Sequence, residues 1–187
     1  MAAAAGKDPL SLRRELLAHD ARALAVLNTA AEKGGWGRPA PAGVHRGLAY
    51  VESYGSLVAE VAEVSVTDGR VKVHKVTVAI DCGEIVNPET VAQQAEGGVV
   101  MGLSAALHEG ITIRNGRSEA TNFDLYPIMR IGEAPVVETH IIRSGQTMGG
   151  VGEPPLPPAA PALVNAIFAA TGKRIRTLPV DRTDLRT

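Results

Sequence analysis

Between the β-rich runs Leu57–Val66 and Val71–Ile80 the chain carries Asp68-Gly69, two residues that tolerate positive φ together and so close a tight antiparallel hairpin. A third such run, Gly47–Glu52, lies immediately before them, and the spacing predicts an antiparallel sheet through the middle of the chain. Val71 and Val73 fall out of phase with Val76, Val78 and Ile80, which predicts a bulge or a change of strand partner. Val136–Arg143 alternates as a further strand. Asn115-Gly116 marks a smaller hairpin between Ile111–Arg114 and a short return strand.

Helices frame this sheet. Asp8-Pro9 reads as an N-cap followed by a first-turn proline, with Leu12, Leu16 and Leu17 on one face. A second helix is expected over Ala21–Lys33, ending at Gly34, and the segment GGWGRPAPAG (34–43) then reads as a linker crossing the surface. Asn87-Pro88 starts a central helix running to about Leu107, and a last helix is expected from about Ala159 to Ala170, closed by Gly172. Gly97, Gly98 and Gly102 lie inside the central helix, where each glycine costs roughly 1 kcal/mol relative to alanine. That cost predicts a backbone or a ligand packed against the glycine face. The fold class expected is α+β, an antiparallel or mixed sheet with packed helices. Residues 1–43 form a helical lead-in and linker, and residues 44–187 carry the sheet.

Composition narrows what such a domain does. Nineteen basic residues face 20 acidic ones for a formal charge of −1, so no strong single-sign field draws nucleic acid or an anionic membrane. The single cysteine, Cys82, forms no internal disulfide and no cysteine-based metal cluster. No stretch approaches the ~20 apolar residues of a membrane span, and MAAAAGKDPL lacks the apolar region of a secretory signal. A soluble protein is therefore expected, with no nucleic-acid partner and no membrane span; whether it works in the cytoplasm or the periplasm is left open.

Glu153 stands out because Gly149, Gly150 and Gly152 precede it and Pro154-Pro155 follow, a loop whose shape is set by special backbone residues. Amides in such a turn can converge on an oxygen, and a carboxylate fixed beside them can serve as a general base. Spacing alone leaves a structural turn the simpler account. Gln93, Gln94 and Glu96 precede the glycine run of the central helix, where an amide could pair with a heterocycle, although on these residues alone a plain helix surface with close packing at the glycines is the better account. Cys82 reads as a small core thiol, and His19, His45, His74, His108 and His140 show no metal-ligand spacing, so no protein-ligated metal is expected. No nucleophile elbow, Walker loop or strand-borne GxGxxG is present.

GGVGEPPLPPAAPALVNAIFAATGKRIRTLP (149–179) closely resembles the C-terminal signature of the xanthine dehydrogenase/aldehyde oxidase family, and AIDCGEIVNPETVAQQAEGGVVMGLSAAL (79–107) resembles that family's pterin-binding segment. AAGKDPLSLRRELL, AEKGGWG and ESYGSLVAEVAEVSV look nearest to the large subunit of the isoquinoline 1-oxidoreductase type. The resemblance runs through nearly the whole chain in order. It implies the C-terminal fragment of a molybdopterin-binding domain, with 44–187 its second half, because the family's large subunit is several times longer. On that footing the missing N-terminal part of the subunit, which carries the other wall of the pterin site, is a required partner.

The activity implied is that of a molybdenum hydroxylase, which oxidises an aromatic N-heterocycle or an aldehyde with water-derived oxygen. Glu153 matches the family's catalytic base, Gln94 a glutamine that contacts molybdopterin, and the backbone of Gly150, Val151 and Gly152 the loop lining the metal. The cofactor implied is molybdenum-molybdopterin, in its cytosine dinucleotide form. Iron-sulfur clusters are expected only on a small [2Fe-2S] partner subunit. The alternative is a truncated, non-catalytic remnant that does not hold the cofactor. If the matches carry over, Gln94 and Glu153 should approach a common cleft.

Overall fold

In the computed structural model, which describes residues 1–186, two helices open the chain, α1 (Pro9–Leu16) and α2 (Ala21–Lys33). Their starts follow from side-chain caps: Asp8 accepts from the Ser11 amide at 2.8 Å and Asp20 from the Ala23 amide at 3.0 Å. Gly34 ends α2 with an ordinary φ of −76°. Glycine is needed there for space rather than conformation, because an added Cβ would lie 2.7 Å from the Val61 Cβ.

The three central runs become β1 (Val44–Ser53), β2 (Ser56–Thr67) and β3 (Arg70–Asp81), paired antiparallel. Between Glu63↔Lys75 and Val64↔Val73 the register slips by one residue, so His74 is the extra residue of the expected bulge. A small hairpin follows, β4 (Ile113–Arg114) with β5 (Arg117–Ser118), and then β6 (Val136–Ile141). The main sheet has the order β1-β2-β3-β6, and β6 runs parallel to β3 from Lys75↔Val136 to Ile80↔Ile141. The sheet is therefore mixed. A parallel neighbour requires a long crossover, and α3 (Pro88–Leu107) supplies it.

Strand alternation splits the core in two. Val58, Ala62, Val64, Val76, Val78 and Ile80 face α3 and a final helix, α4 (Ala159–Thr171), meeting Val99, Leu103, Leu163 and Ile167. Leu57, Ala59, Val61 and Ala79 point the other way and meet Val26, Leu27 and Ala30 of α2. The lead-in helices thus form one outer layer and α3 with α4 the other.

The segment 34–43 runs over the surface, exposed at residues 37–39 and 41–43, but it is tied down at two points. Trp36 packs half-buried against the α2 core and donates from Nε1 to Asp8 Oδ1 at 3.0 Å. Arg46 Nη1 donates to the carbonyls of Gly35 and Arg38 at 2.6 and 2.7 Å. Glycine and proline set the turns, but the half-buried indole and the Arg46 guanidinium tie the segment down, which composition does not reveal.

Candidate functional site

The site is built outward from Asp81, the last residue of β3, whose side chain is fully buried. Arg22 of α2 grips it with two bonds, Nε to Oδ2 at 2.8 Å and Nη2 to Oδ1 at 3.0 Å. The Gly83 amide and the Ser144 hydroxyl complete its shell at 2.9 and 2.8 Å. Burial alone would raise this carboxyl's pKa. The Arg22, Gly83 and Ser144 bonds and the Arg22 charge outweigh it, and the pKa lies below the usual aspartate value. Asp81 thereby fixes where the chain leaves β3 and where the long loop after β6 begins.

That loop is then laid along the sheet end by a series of bonds. Ile142 donates to Ile80, Gly149 to Cys82 and Gly150 to Tyr54, all backbone to backbone, at 2.8, 2.8 and 2.9 Å. Ser56 Oγ donates to the Gly150 carbonyl at 2.6 Å. A Cβ on Gly149 would sit 2.5 Å from that same hydroxyl, so close docking requires glycine.

From the opposite side comes α3, started by Asn87, whose side chain accepts from the amides of Glu89 and Thr90. Gln94 stands two turns in. Its Nε2 donates to the Gly152 carbonyl at 2.8 Å, joining the helix to the loop one residue before Glu153. Gly98 and Gly102 press on the same loop further along: added Cβ atoms would lie 3.2 Å from Pro155 Cβ and 2.6 Å from the Leu156 carbonyl oxygen. Gly97 does not share this packing, for nothing lies within 4 Å of its would-be Cβ. The expected close backbone is therefore found at Gly98 and Gly102, whereas Gly97, which the helical turn rotates outward, meets no protein group among the described residues.

Glu153 is exposed, at the lip of an open cleft of about 470 Å³ lined also by Ser53, Tyr54, Leu156 and Pro157. Hydrogen bonding to the Glu153 carboxylate, and that group's charge, raise the Tyr54 phenol above its ordinary pKa. The structure thus joins Gln94 to the largely exposed loop of Gly150, Val151, Gly152 and Glu153 through the Gly152 carbonyl, although Gln94 itself is not among the residues that line the Glu153 cleft. Sequence reasoning missed two residues there, Asp81 and Tyr54. Asp81 stood within the quoted AIDCG segment, and an acid closing a hydrophobic strand is the signal that could have found it.

The residues of the strip fit an oxygen-rich, hydrogen-bonding ligand. Among the described residues the amides of Val151 and Gly152 donate to no protein group, and the Gln94 side-chain oxygen accepts from none. Gly97 and Gly152 both have open space beside them. Such a set could receive the polar edge of a pterin. It does not hold a metal by itself: no cluster of three or more His, Cys, Asp or Glu suited to a metal ion occurs among the described residues. Cys82 is buried, and burial pushes its thiol up. Gln93 and Glu96 are exposed on α3.

These features are a hydrogen-bonding strip on an α+β scaffold, and comparison with known proteins gives the class. Residues 18–135 match the model of the molybdopterin cofactor-binding domain, and the chain belongs to that family. Among curated proteins it is 35% identical over 178 residues to the beta subunit of isoquinoline 1-oxidoreductase from Brevundimonas diminuta, covering 92% of this chain and 23% of that one. It is 32% identical over 207 residues to a nicotinate dehydrogenase subunit from Pseudomonas putida, covering 100% of this chain and 17% of the relative. Among solved structures, aldehyde oxidoreductase from Desulfovibrio desulfuricans superimposes with a TM-score of 0.60 at 28% identity over 67% of this chain and 14% of the other. Quinoline 2-oxidoreductase from Pseudomonas putida 86 shares the fold, with a TM-score of 0.63 at 22% identity over 67% of this chain and 17% of that one. The chain spans less than a quarter of the length of each of these proteins. No helix among the described residues is long and apolar enough to cross a membrane.

Proposed function

We propose that this chain forms one wall of the molybdopterin site of a molybdenum hydroxylase and supplies its general base. The observation that carries the reading is the Gln94 to Gly152 bond of 2.8 Å, which joins two segments 58 positions apart at the residue preceding Glu153. Gln94, through its spare carbonyl and second amide hydrogen, and the Val151 and Gly152 amides would hold the pterin's polar edge. The remaining wall comes from the N-terminal part of the large subunit, and electrons leave through a small [2Fe-2S] subunit. The bound molybdopterin, in its cytosine dinucleotide form, supplies the two-electron redox chemistry.

Glu153 takes the proton from the water-derived oxygen as that oxygen attacks an electron-poor carbon of an aromatic N-heterocycle or an aldehyde. Positioned proton transfer of this kind is worth ~10²–10⁴-fold. The Pro154-Pro155 step and the 2.8 Å bond from the Leu156 amide to the Glu153 carbonyl hold the backbone that presents the carboxylate.

The test is co-expression with the N-terminal part of a related large subunit and its [2Fe-2S] subunit under molybdate-replete conditions. Molybdenum should copurify with the complex, and Glu153→Gln should keep that molybdenum while losing at least ~10²-fold in turnover. Metal-free complexes, or a Glu153→Gln enzyme that turns over normally, would overturn the reading.

A further inference from the structure

Among the described residues, three hairpin turns have positive φ at both central positions: Tyr54-Gly55 (52° and 75°), Asp68-Gly69 (51° and 78°) and Asn115-Gly116 (51° and 75°). This geometry strongly favours Asn, Asp or Gly at the first position, since their side chains tolerate the left-handed region. Two of the turns obey that rule. The third places a tyrosine there, and a bulky side chain at positive φ marks local strain. Packing does not offset it, because Tyr54 remains 68% exposed.

The same turn is bound into the candidate site. The Tyr54 carbonyl accepts from the Gly150 amide at 2.9 Å, and Tyr54 and Glu153 line one cleft. A strained, exposed aromatic residue that shares a cleft with a carboxylate is a poor turn former but well placed as a donor.

We infer that Tyr54 is a positioning residue for Glu153, its hydroxyl orienting the carboxylate that removes the proton. This rests on the assignment of Glu153 as general base. One carboxylate oxygen, held by the phenol, leaves the other to face the attacking oxygen, and the hairpin fixes the phenol because its own backbone carries the glycine loop. Held this way, the base starts each turnover in one rotamer rather than several.

Three variants of Tyr54, tested both in the full chain and in the assembled enzyme, separate this from a folding role. Tyr54→Phe keeps the ring and the strain but removes the donor; it should lower kcat about tenfold with KM and molybdenum content little changed. Tyr54→Asn supplies the residue the turn prefers, so the melting temperature should hold or rise while kcat falls as in Tyr54→Phe. Tyr54→His, which can still donate, should recover part of the loss. In the full chain carrying ¹³C-labelled tyrosine, the Tyr54 phenol should titrate lower in Glu153→Gln than in the parent, since the neighbouring charge is gone. An unchanged phenol titration, or a Tyr54→Phe enzyme with parental kcat beside an inactive Glu153→Gln enzyme, would overturn the inference alone. Loss of kcat in Tyr54→Asn only together with melting temperature would also overturn it, by assigning Tyr54 to folding. An active Glu153→Gln enzyme would instead remove the base assignment beneath it.

Discussion

Gln94 on α3 and Gly152 in the loop before Glu153 are joined by a 2.8 Å hydrogen bond from the side-chain amide to the backbone carbonyl. The bond is exposed, so its net worth to stability is at the low end of the usual ~0.5–1.5 kcal/mol. Its effect should be local. Gln94→Ala is expected to cost no more than about 1 kcal/mol in a urea melt while speeding amide exchange at residues 151–153. Parental exchange at those amides would show that the loop is held by its sheet contacts alone.

The Arg22–Asp81 pair makes a larger prediction. Asp81 is fully buried, so removing Arg22 leaves a carboxylate supported only by Gly83 and Ser144. Breaking such a pair costs ~3–5 kcal/mol when both partners are buried. Arg22 is one quarter exposed, and Arg22→Ala should cost about 2–3 kcal/mol. The pH dependence follows from the depressed pKa. The pair's stabilisation is fully present above the unfolded aspartate value of about 3.9 and is lost as pH falls through the lower folded value. Urea midpoints from pH 6 to 3 should therefore fall more steeply in the parent than in Arg22→Ala; parallel slopes would contradict this account.

Glu60 behaves in the opposite sense. It is fully buried on β2 with Ala49 and Val78 opposite and Val58 and Ala62 beside it, and among the described residues neither carboxylate oxygen has a hydrogen-bond partner. Burial raises its pKa well above the ordinary glutamate value. The folded chain therefore keeps a proton that the unfolded chain releases near pH 4.3, and stability drains away as pH rises from there towards the folded pKa. Glu60→Met, similar in volume and apolar, should stabilise the chain by ~1–3 kcal/mol at pH 8, with a smaller gain at pH 4. A gain independent of pH would mean that the carboxyl is not the source.

What was legible in the sequence was local. Asp8 and Asn87 each cap a helix within three residues, and Asp68-Gly69 and Asn115-Gly116 each close a turn with their own backbone. The Tyr54-Gly55 turn escaped notice because tyrosine is a poor residue for that conformation. Arg22 and Ser144 lie 59 and 63 positions from Asp81, and no periodicity links them. The parallel pairing of β6 likewise depends on where α3 crosses the sheet, which alternation within the strand does not encode. Gln94 and Glu153 were paired through family resemblance rather than spacing, and the tertiary path of the loop explains why spacing was silent.

The glycines of α3 provide the sharpest test of how the helix meets that loop. Gly97 and Gly102 both occupy helix interior, so alanine at either should gain roughly the same ~1 kcal/mol of helix propensity. Their surroundings differ. Nothing lies within 4 Å of a Cβ at Gly97, and Gly97→Ala should raise stability by about 0.5–1 kcal/mol. At Gly102 the Cβ would lie 2.6 Å from the Leu156 carbonyl oxygen and 2.8 Å from Ala159 Cβ, groups fixed at the start of α4. Neither can swing aside as a flexible side chain would, so α3 and the loop must separate, and Gly102→Ala should lose about 1–3 kcal/mol net of the propensity gain. Urea midpoints of the two variants should move in opposite directions. Equal shifts of the same sign would mean that the loop yields freely to α3, and the docking of the Gly150–Glu153 loop on the helix would then rest on the Gln94–Gly152 bond and the sheet-end contacts alone.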